Sequence, residues 1–152
     1  MRALAAAMLI AATVAAAPNN VLADGAQLFD TSCAFCHQSG GVGVPGQFPR
    51  LTGRTGEIAS KPEGKKFLPV ILLNGMSGRV SVDGEQILGI MPGFDSMSDD
   101  DMAAVLTYLT SLNHAPVVYS ADDIKTARAQ PRLAPGDVAA QRADLAEKKI
   151  VP

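Results

Sequence analysis

Two cysteines and a histidine stand within five residues, Cys33-Ala34-Phe35-Cys36-His37, and the chain has no other cysteine. Cys-x-x-Cys-His is the attachment pattern of c-type haem. On a helical turn, positions i, i+3 and i+4 share a face. Both sulfurs can therefore reach one haem edge while the imidazole swings beneath the ring toward iron. Two other chemistries compete. A Cys33–Cys36 disulfide suits an oxidising compartment, but a thioredoxin-like redox pair belongs in a βαβ context that the sequence does not offer. Zinc on Cys33, Cys36, His37 and His114 lacks a second paired half, because His114 stands alone far along the chain.

Iron that changes oxidation state while keeping its ligands needs a sixth donor, and a thioether fills that place while favouring Fe(II) and raising the potential. Of six methionines, Met1 and Met8 fall in an N-terminal segment expected to be removed and Met102 belongs to a helical apolar stripe, where core packing is the simpler role. Met91 precedes Pro92 and Gly93 in an expected loop, where a ligand can be fixed without opposing helical geometry. It is the leading candidate, ahead of Met97 and Met76, with His114 behind them. An open sixth site would instead give a haem enzyme or a gas-binding sensor. That reading needs a distal polar group placed for acid/base work, such as His114.

These residues must be positioned by the elements around them. Asp24 to Ser32 reads as a helix running directly into Cys33, with Ala26, Leu28 and Phe29 as its apolar or small positions. Gln38 to Thr55 is rich in glycine and carries Pro45 and Pro49, which predicts a wrapping loop. Lys65 to Asn74 has helical spacing in Phe67, Leu68, Ile71 and Leu72. There Pro69 falls in the first turn or shortens the helix, and Gly75 supplies a stop. Arg79 to Val82, Asp83-Gly84 and Glu85 to Ile90 predict a hairpin with a two-residue turn that delivers Met91 on the following loop. Ser98 to Leu112 is the clearest helix: Ser98 caps it and Met102, Val105, Leu106 and Leu109 form one stripe. The acidic triplet Asp99-Asp100-Asp101 complements its N-terminus. A short helix is expected over Ser120 to Gln130, and Pro131 and Pro135 then precede a polar tail, Gly136 to Lys149, for which a helix is open but little burial is expected.

Arg2 followed by an apolar run from Leu4 to Ala17, ending in Val21-Leu22-Ala23, reads as a secretory signal peptide over residues 1–23. Cleavage after Ala17 is the rival, but it would leave Pro18 directly behind the cut. The run is shorter than the roughly 20 apolar residues of a spanning helix. Removal leaves 129 residues with 12 basic and 15 acidic side chains. One modest domain is expected, with no membrane span after cleavage and no basic cluster for nucleic acid. The chain has no tryptophan and few aromatic residues, a core deficit that a large apolar prosthetic group would repair.

The Cys33–His37 motif, Phe48-Pro49-Arg50-Leu51, Met91-Pro92-Gly93-Phe94, and Ser98-Asp99 opening a helix through Leu106-Thr107-Tyr108-Leu109 closely resemble class I cytochromes c. The likeness covers residues 24–114, leaving 115–152 as a C-terminal extension. It implies an all-α fold: a small helical domain around one covalently attached haem c, with a small hairpin before the methionine loop. In such a fold Gly25 and Phe29 cross Val105 and Tyr108. The Pro49 carbonyl accepts a hydrogen bond from the second ring nitrogen of His37, and Leu51 packs on the haem. The resemblance thus implies a cofactor set of Cys33, Cys36, His37, Pro49, Leu51 and Met91, with iron held by His37 and Met91. Arg50, Arg54 and Arg79 are candidates to neutralise haem propionates.

Leu73 to Gly78, Gly89 to Phe94 and the Ser120–Gln130 helix are similar to cytochrome subunits paired with periplasmic dehydrogenases. This implies a periplasmic electron carrier, not an enzyme. It would take single electrons from a dehydrogenase partner and pass them to a respiratory-chain acceptor. The tail from Gly136 to Pro152 departs from that pattern and is expected to be disordered or to wrap a partner.

Overall fold

The computed structural model describes residues 18–112 and 116–152, with side chains from residue 21 onward. His114 and residues 1–17 lie outside the described residues. The chain is mostly helical, with one two-stranded antiparallel sheet among the described residues.

Helix α1 (Pro18–Ser32) crosses α5 (Asp99–Ser111), and the sequence explains how closely. A Cβ on Gly25 would lie 2.2 Å from the Ala104 carbonyl oxygen, so only glycine permits this approach. One turn on, Phe29 is fully buried against Val105 and Leu109, its ring 5.7 Å from that of Tyr108 at a tilted 50°. The crossing is the expected one, although α1 begins at Pro18, six residues before the expected Asp24. Ser98 caps α5, its hydroxyl accepting from the Asp101 N–H at 3.1 Å.

α1 gives way at Cys33 to a single turn, α2 (Ala34–His37), and then to the glycine-rich loop. That loop folds back on itself: Leu51 N–H donates to Gly41 at 2.7 Å, and Val44 and Phe48 form an isolated bridge. Gly43 has φ +70°, and a Cβ there would meet Arg50 N and Phe48 O at 2.6 Å. A short helix, α3 (Arg54–Ala59), follows the loop.

α4 runs over Pro62–Asn74, starting earlier than Lys65 because Pro62 occupies its first turn. Pro69 therefore lies in the helix interior, where it leaves the Lys65 carbonyl without its usual i+4 donor. The Tyr119 hydroxyl donates to that carbonyl at 3.0 Å. A long-range contact thus replaces the missing local bond.

β1 (Met76–Val82) pairs with β2 (Glu85–Met91), Met76 opposite Met91 and Val82 opposite Glu85. The Asp83-Gly84 turn has φ of 54° and 82°, both left-handed, as a two-residue hairpin turn requires. The hairpin is longer than expected, so Met91 is the last residue of β2 rather than part of the loop after it. Pairing with Met76 extends the ladder by one register position to include it.

α6 (Ala121–Arg128) is closed by a Ser120–Asp123 capping box. The expected polar tail is a helix, α7 (Pro135–Glu147), which packs on β1 and α4. Val138 and Leu145 from α7, Ile124 from α6 and Val151 join Phe67, Leu72, Met102 and Leu106 in one core cluster. The expected disorder is corrected: the tail carries few apolar side chains, but they fall on one helical face.

Candidate functional site

α1 and α2 bring the Cys33–His37 motif to the wall of a cavity. Cys33 N–H continues the α1 ladder to Phe29 O at 2.8 Å, and His37 N–H donates to Cys33 O at 3.0 Å. The imidazole is therefore fixed one turn beyond the first thiol. The two cysteines are not joined to each other by a disulfide. Burial, then the neighbouring Cys36, pushes the Cys33 thiol up to about 11. Among the described residues no group of three or more His, Cys, Asp or Glu is placed to hold a bare metal ion.

His37 is buried, and its Nδ1 lies 2.9 Å from the Pro49 carbonyl oxygen. A carbonyl can only accept, so Nδ1 carries the proton and Nε2 keeps a free lone pair. Burial holds the imidazole below its ordinary pKa, partly opposed by the Pro49 bond, which favours the cation. The ring is thus a neutral, oriented donor. The glycine-rich loop supplies this acceptor, which is what its folded-back path accomplishes.

Cys33, His37, Pro49, Leu51, Met76 and Met91 all line the same cavity, which takes in about 780 Å³ of space including its opening to solvent. Its remaining walls are mainly aliphatic: Ile58 from α3, Leu68, Ile71 and Leu72 from α4, and Val80 and Val82 from β1. Met97 instead packs between the two helical core clusters, and Met102 is fully buried in the larger one. Two methionines, Met91 and its cross-strand partner Met76, therefore face the site.

The Met91 segment is clamped. Gly75, at φ +72°, ends α4 so close to it that a Cβ would meet Met91 O at 2.5 Å and Gly93 N at 2.8 Å. Phe94 N–H then donates to Leu72 O at 2.7 Å. Gly75 and Gly93 together allow backbone to lie on backbone here.

Arginine marks the remaining wall. Arg50 makes a forked pair with Asp83, 2.8 and 3.0 Å, and Arg54 reaches the same carboxylate at 2.9 Å. Both line the cavity. Arg79 does not; it is exposed on the outer face of the hairpin. Arg142 and Thr55 also line the site and were missed by sequence reasoning. Thr55 fixes the wall by donating to Leu109 O at 2.8 Å. Cys36, on the single turn of α2, is half-buried but does not itself line the cavity. An aliphatic slot with the Cys33 thiol and an oriented imidazole on one wall, thioethers on the hairpin and cations at one edge fits haem c in donor type and polarity.

Residues 22–113 match the family model described as cytochrome c. The cytochrome c-552 of Thermus thermophilus is 38% identical over 132 residues, spanning 83% of this chain and 99% of the relative. Two further relatives are subunits of larger enzymes. The cytochrome c subunit of the quinone-type alcohol dehydrogenase of Gluconobacter oxydans is 32% identical over 107 residues, or 68% of this chain and 22% of the relative. The fructose dehydrogenase cytochrome subunit of Gluconobacter japonicus is 34% identical over 120 residues, 74% of this chain and 23% of the relative.

Proposed function

The chain belongs to the cytochrome c family, and on that premise we propose that it is an exported carrier of single electrons, with Cys33 and Cys36 binding one haem c and His37 and Met91 ligating its iron. The family cofactor is haem c, and the protein's work is electron transfer rather than bond-making catalysis. The observation that carries the ligand assignment is the 2.9 Å contact of His37 Nδ1 with the Pro49 carbonyl, which leaves Nε2 for metal in a cavity that Met91 also lines.

Haem c, when bound, supplies a redox centre that takes up and gives back one electron. Cys33 and Cys36 hold it through the sulfurs. Pro49 orients His37 and strengthens it as a donor. The clamp of Gly75 and Gly93 holds Met91 in place, so that little rearrangement accompanies a change of charge. Leu51, Leu68, Leu72 and Val80 exclude water, which is one of the levers by which a protein sets the potential.

Export is supported by Arg2 and the apolar run from Leu4 to Ala17, which we read as a signal peptide over residues 1–23, ahead of a cytochrome domain over 24–114 and an extension over 115–152. Among the described residues no helix is long and apolar enough to cross a membrane. A dehydrogenase as donor is supported by the two dehydrogenase cytochrome subunits among the relatives; its periplasmic location and a respiratory-chain acceptor are the further parts of the proposal. N-terminal sequencing of the periplasmic protein should begin at Asp24. Co-purification with a dehydrogenase at low ionic strength would identify the donor, and a protein that remains alone would point to a free carrier.

The ligand test is the oxidised visible spectrum of the holoprotein beside its Met91→Ala and Met76→Ala variants. A weak far-red sulfur-to-iron band in the parent, lost in Met91→Ala with a fall in potential and kept in Met76→Ala, is expected. The reverse pattern would move the sixth ligand to Met76. A haem spectrum without that band in the parent would leave no methionine ligand at all.

A further inference from the structure

Helix α7 lies outside the span that matches the family model, yet it brings a charge into the cavity that the described chain does not balance. Arg142, midway along α7, is 9% exposed and lines the cavity with Cys33, His37 and Met91. Its Nη2 donates to the Ser81 carbonyl at 3.0 Å, and no carboxylate of the described residues pairs with it. Arg54, 7% exposed, stands on the same wall, with Asp83 at 2.9 Å and the Pro152 carbonyl as its partners. Arg50 shares that one aspartate. Arg50 and Arg54 thus share one side-chain carboxylate, Asp83, itself 42% exposed, while Arg142 pairs with none, and two of the three guanidinium groups are buried.

A guanidinium does not lose its proton in a protein, so burying two of them side by side is costly unless an anion lies between or beside them. The same pair forms a partition. Arg54 and Arg142 line the inner cavity and also an outer groove that contains Glu57, Asp83 and Lys149. One side of each side chain is therefore available to the cavity.

We propose that Arg142, together with Arg54, is the anion-binding wall of the cavity and that the anion is the propionate edge of the haem. The assignment rests on haem c lying in this cavity. Arg142 is then a positioning residue for the cofactor, supplied by the C-terminal extension rather than by the family core. Its positive charge stabilises the more reduced, less positive centre and raises the potential. It also keeps the propionates ionised through neutral pH. The other charged groups on these walls are Arg50, Arg54, Glu57, Asp83 and Lys149, while the α4 wall is aliphatic.

The experiment measures reduction potential against pH for the full-length holoprotein and for Arg142→Gln, Arg142→Lys and Arg79→Gln. Arg142→Gln should lower the potential and make it fall with rising pH, because the propionate pKa rises by about one to two pH units once its cation is gone. Arg142→Lys keeps the charge but not the fork and should lie between Arg142→Gln and the parent. Arg79→Gln removes the same charge from the outer hairpin face and should match the parent. Equal potentials and pH profiles in the parent and Arg142→Gln would overturn the proposal, as would an equal fall in Arg79→Gln. If Arg142→Gln fails to load haem, Arg54→Gln on the same wall decides: a parental potential and pH profile overturn the proposal, and a lower potential that falls with rising pH supports it. A parent without a haem spectrum would sink the underlying reading instead.

Discussion

The imidazole of His37 combines two opposing influences, and their balance has a measurable consequence. Burial disfavours the imidazolium, while the Pro49 carbonyl favours it, and burial wins. The folded protein therefore binds a proton at His37 less readily than the unfolded chain, whose histidine titrates near 6.5. Stability from this group is fully present above about pH 6.5 and is lost as pH falls below it, by at most about 1.4 kcal/mol per pH unit. Iron ligation acts in the same direction, because only the neutral ring binds metal. Denaturant unfolding at pH 7.5 and 5.5 should show lower stability at the acid value. Asp83 and Asp123 are held below the ordinary carboxylate range by their cationic and hydrogen-bonding partners, so their contributions are lost at lower pH. Of the residues that line the cavity, Cys33, His37 and Met91 were legible in the sequence, the first two from the spacing of their motif and Met91 from its place before Pro92 and Gly93, whereas Cys36 of the same motif is not among them. Pro49 came through family resemblance. Arg142 was invisible because nothing local distinguishes an inward arginine from a solvated one.

At the scale of elements, two irregularities position the site, and both can be broken by one substitution. Pro69 in α4 is tolerated because Tyr119, 3% exposed, donates to the orphaned Lys65 carbonyl. The Tyr119 phenol sits under the Lys65 ammonium at 5.3 Å, and burial raises its pKa, so it remains a donor. Tyr119→Phe should leave the carbonyl without that partner and cost about 1–3 kcal/mol in chemical denaturation. At the other end of α4, Gly75 is left-handed and has no room for a Cβ against Met91 O. Gly75→Ala should push the Met91 strand end away and weaken the far-red sulfur-to-iron band while leaving the reduced haem bands in place. A band of parental strength would separate the clamp from the ligand. The sequence identified Gly75 as a helix stop but could not show what approaches it. The interior Pro69 and the extended hairpin escaped for the same reason, since each is settled by a partner distant in sequence: Tyr119 for the proline, Met76 for Met91.

Over the whole molecule, α7 decides whether residues 115–152 are an appendage or part of the structure that closes the cavity. Val138, Arg142 and Leu145 recur at i, i+4 and i+7, a helical face whose middle position is an arginine. Counting that arginine as outward left too few apolar positions to predict burial, which is why the tail read as polar. Its anchoring is distributed: Val138 is fully buried, Leu145 is 8% exposed, and Lys61 Nζ donates to the Lys149 carbonyl at 2.6 Å from the start of α4. Truncating one of these anchors should therefore cost as much as a core substitution. Leu145→Ala should lower stability by about 2–5 kcal/mol in denaturant unfolding, whereas Ala140→Ser on the exposed face of α7 should stay within about 0.5 kcal/mol of the parent. A loosely attached tail would give two near-neutral variants. If Leu145→Ala is costly and also lowers the reduction potential in the manner of Arg142→Gln, then docking of α7 and the charge at the haem edge are one structural event, because the helix that fills the core is the helix that carries the cation to the cavity.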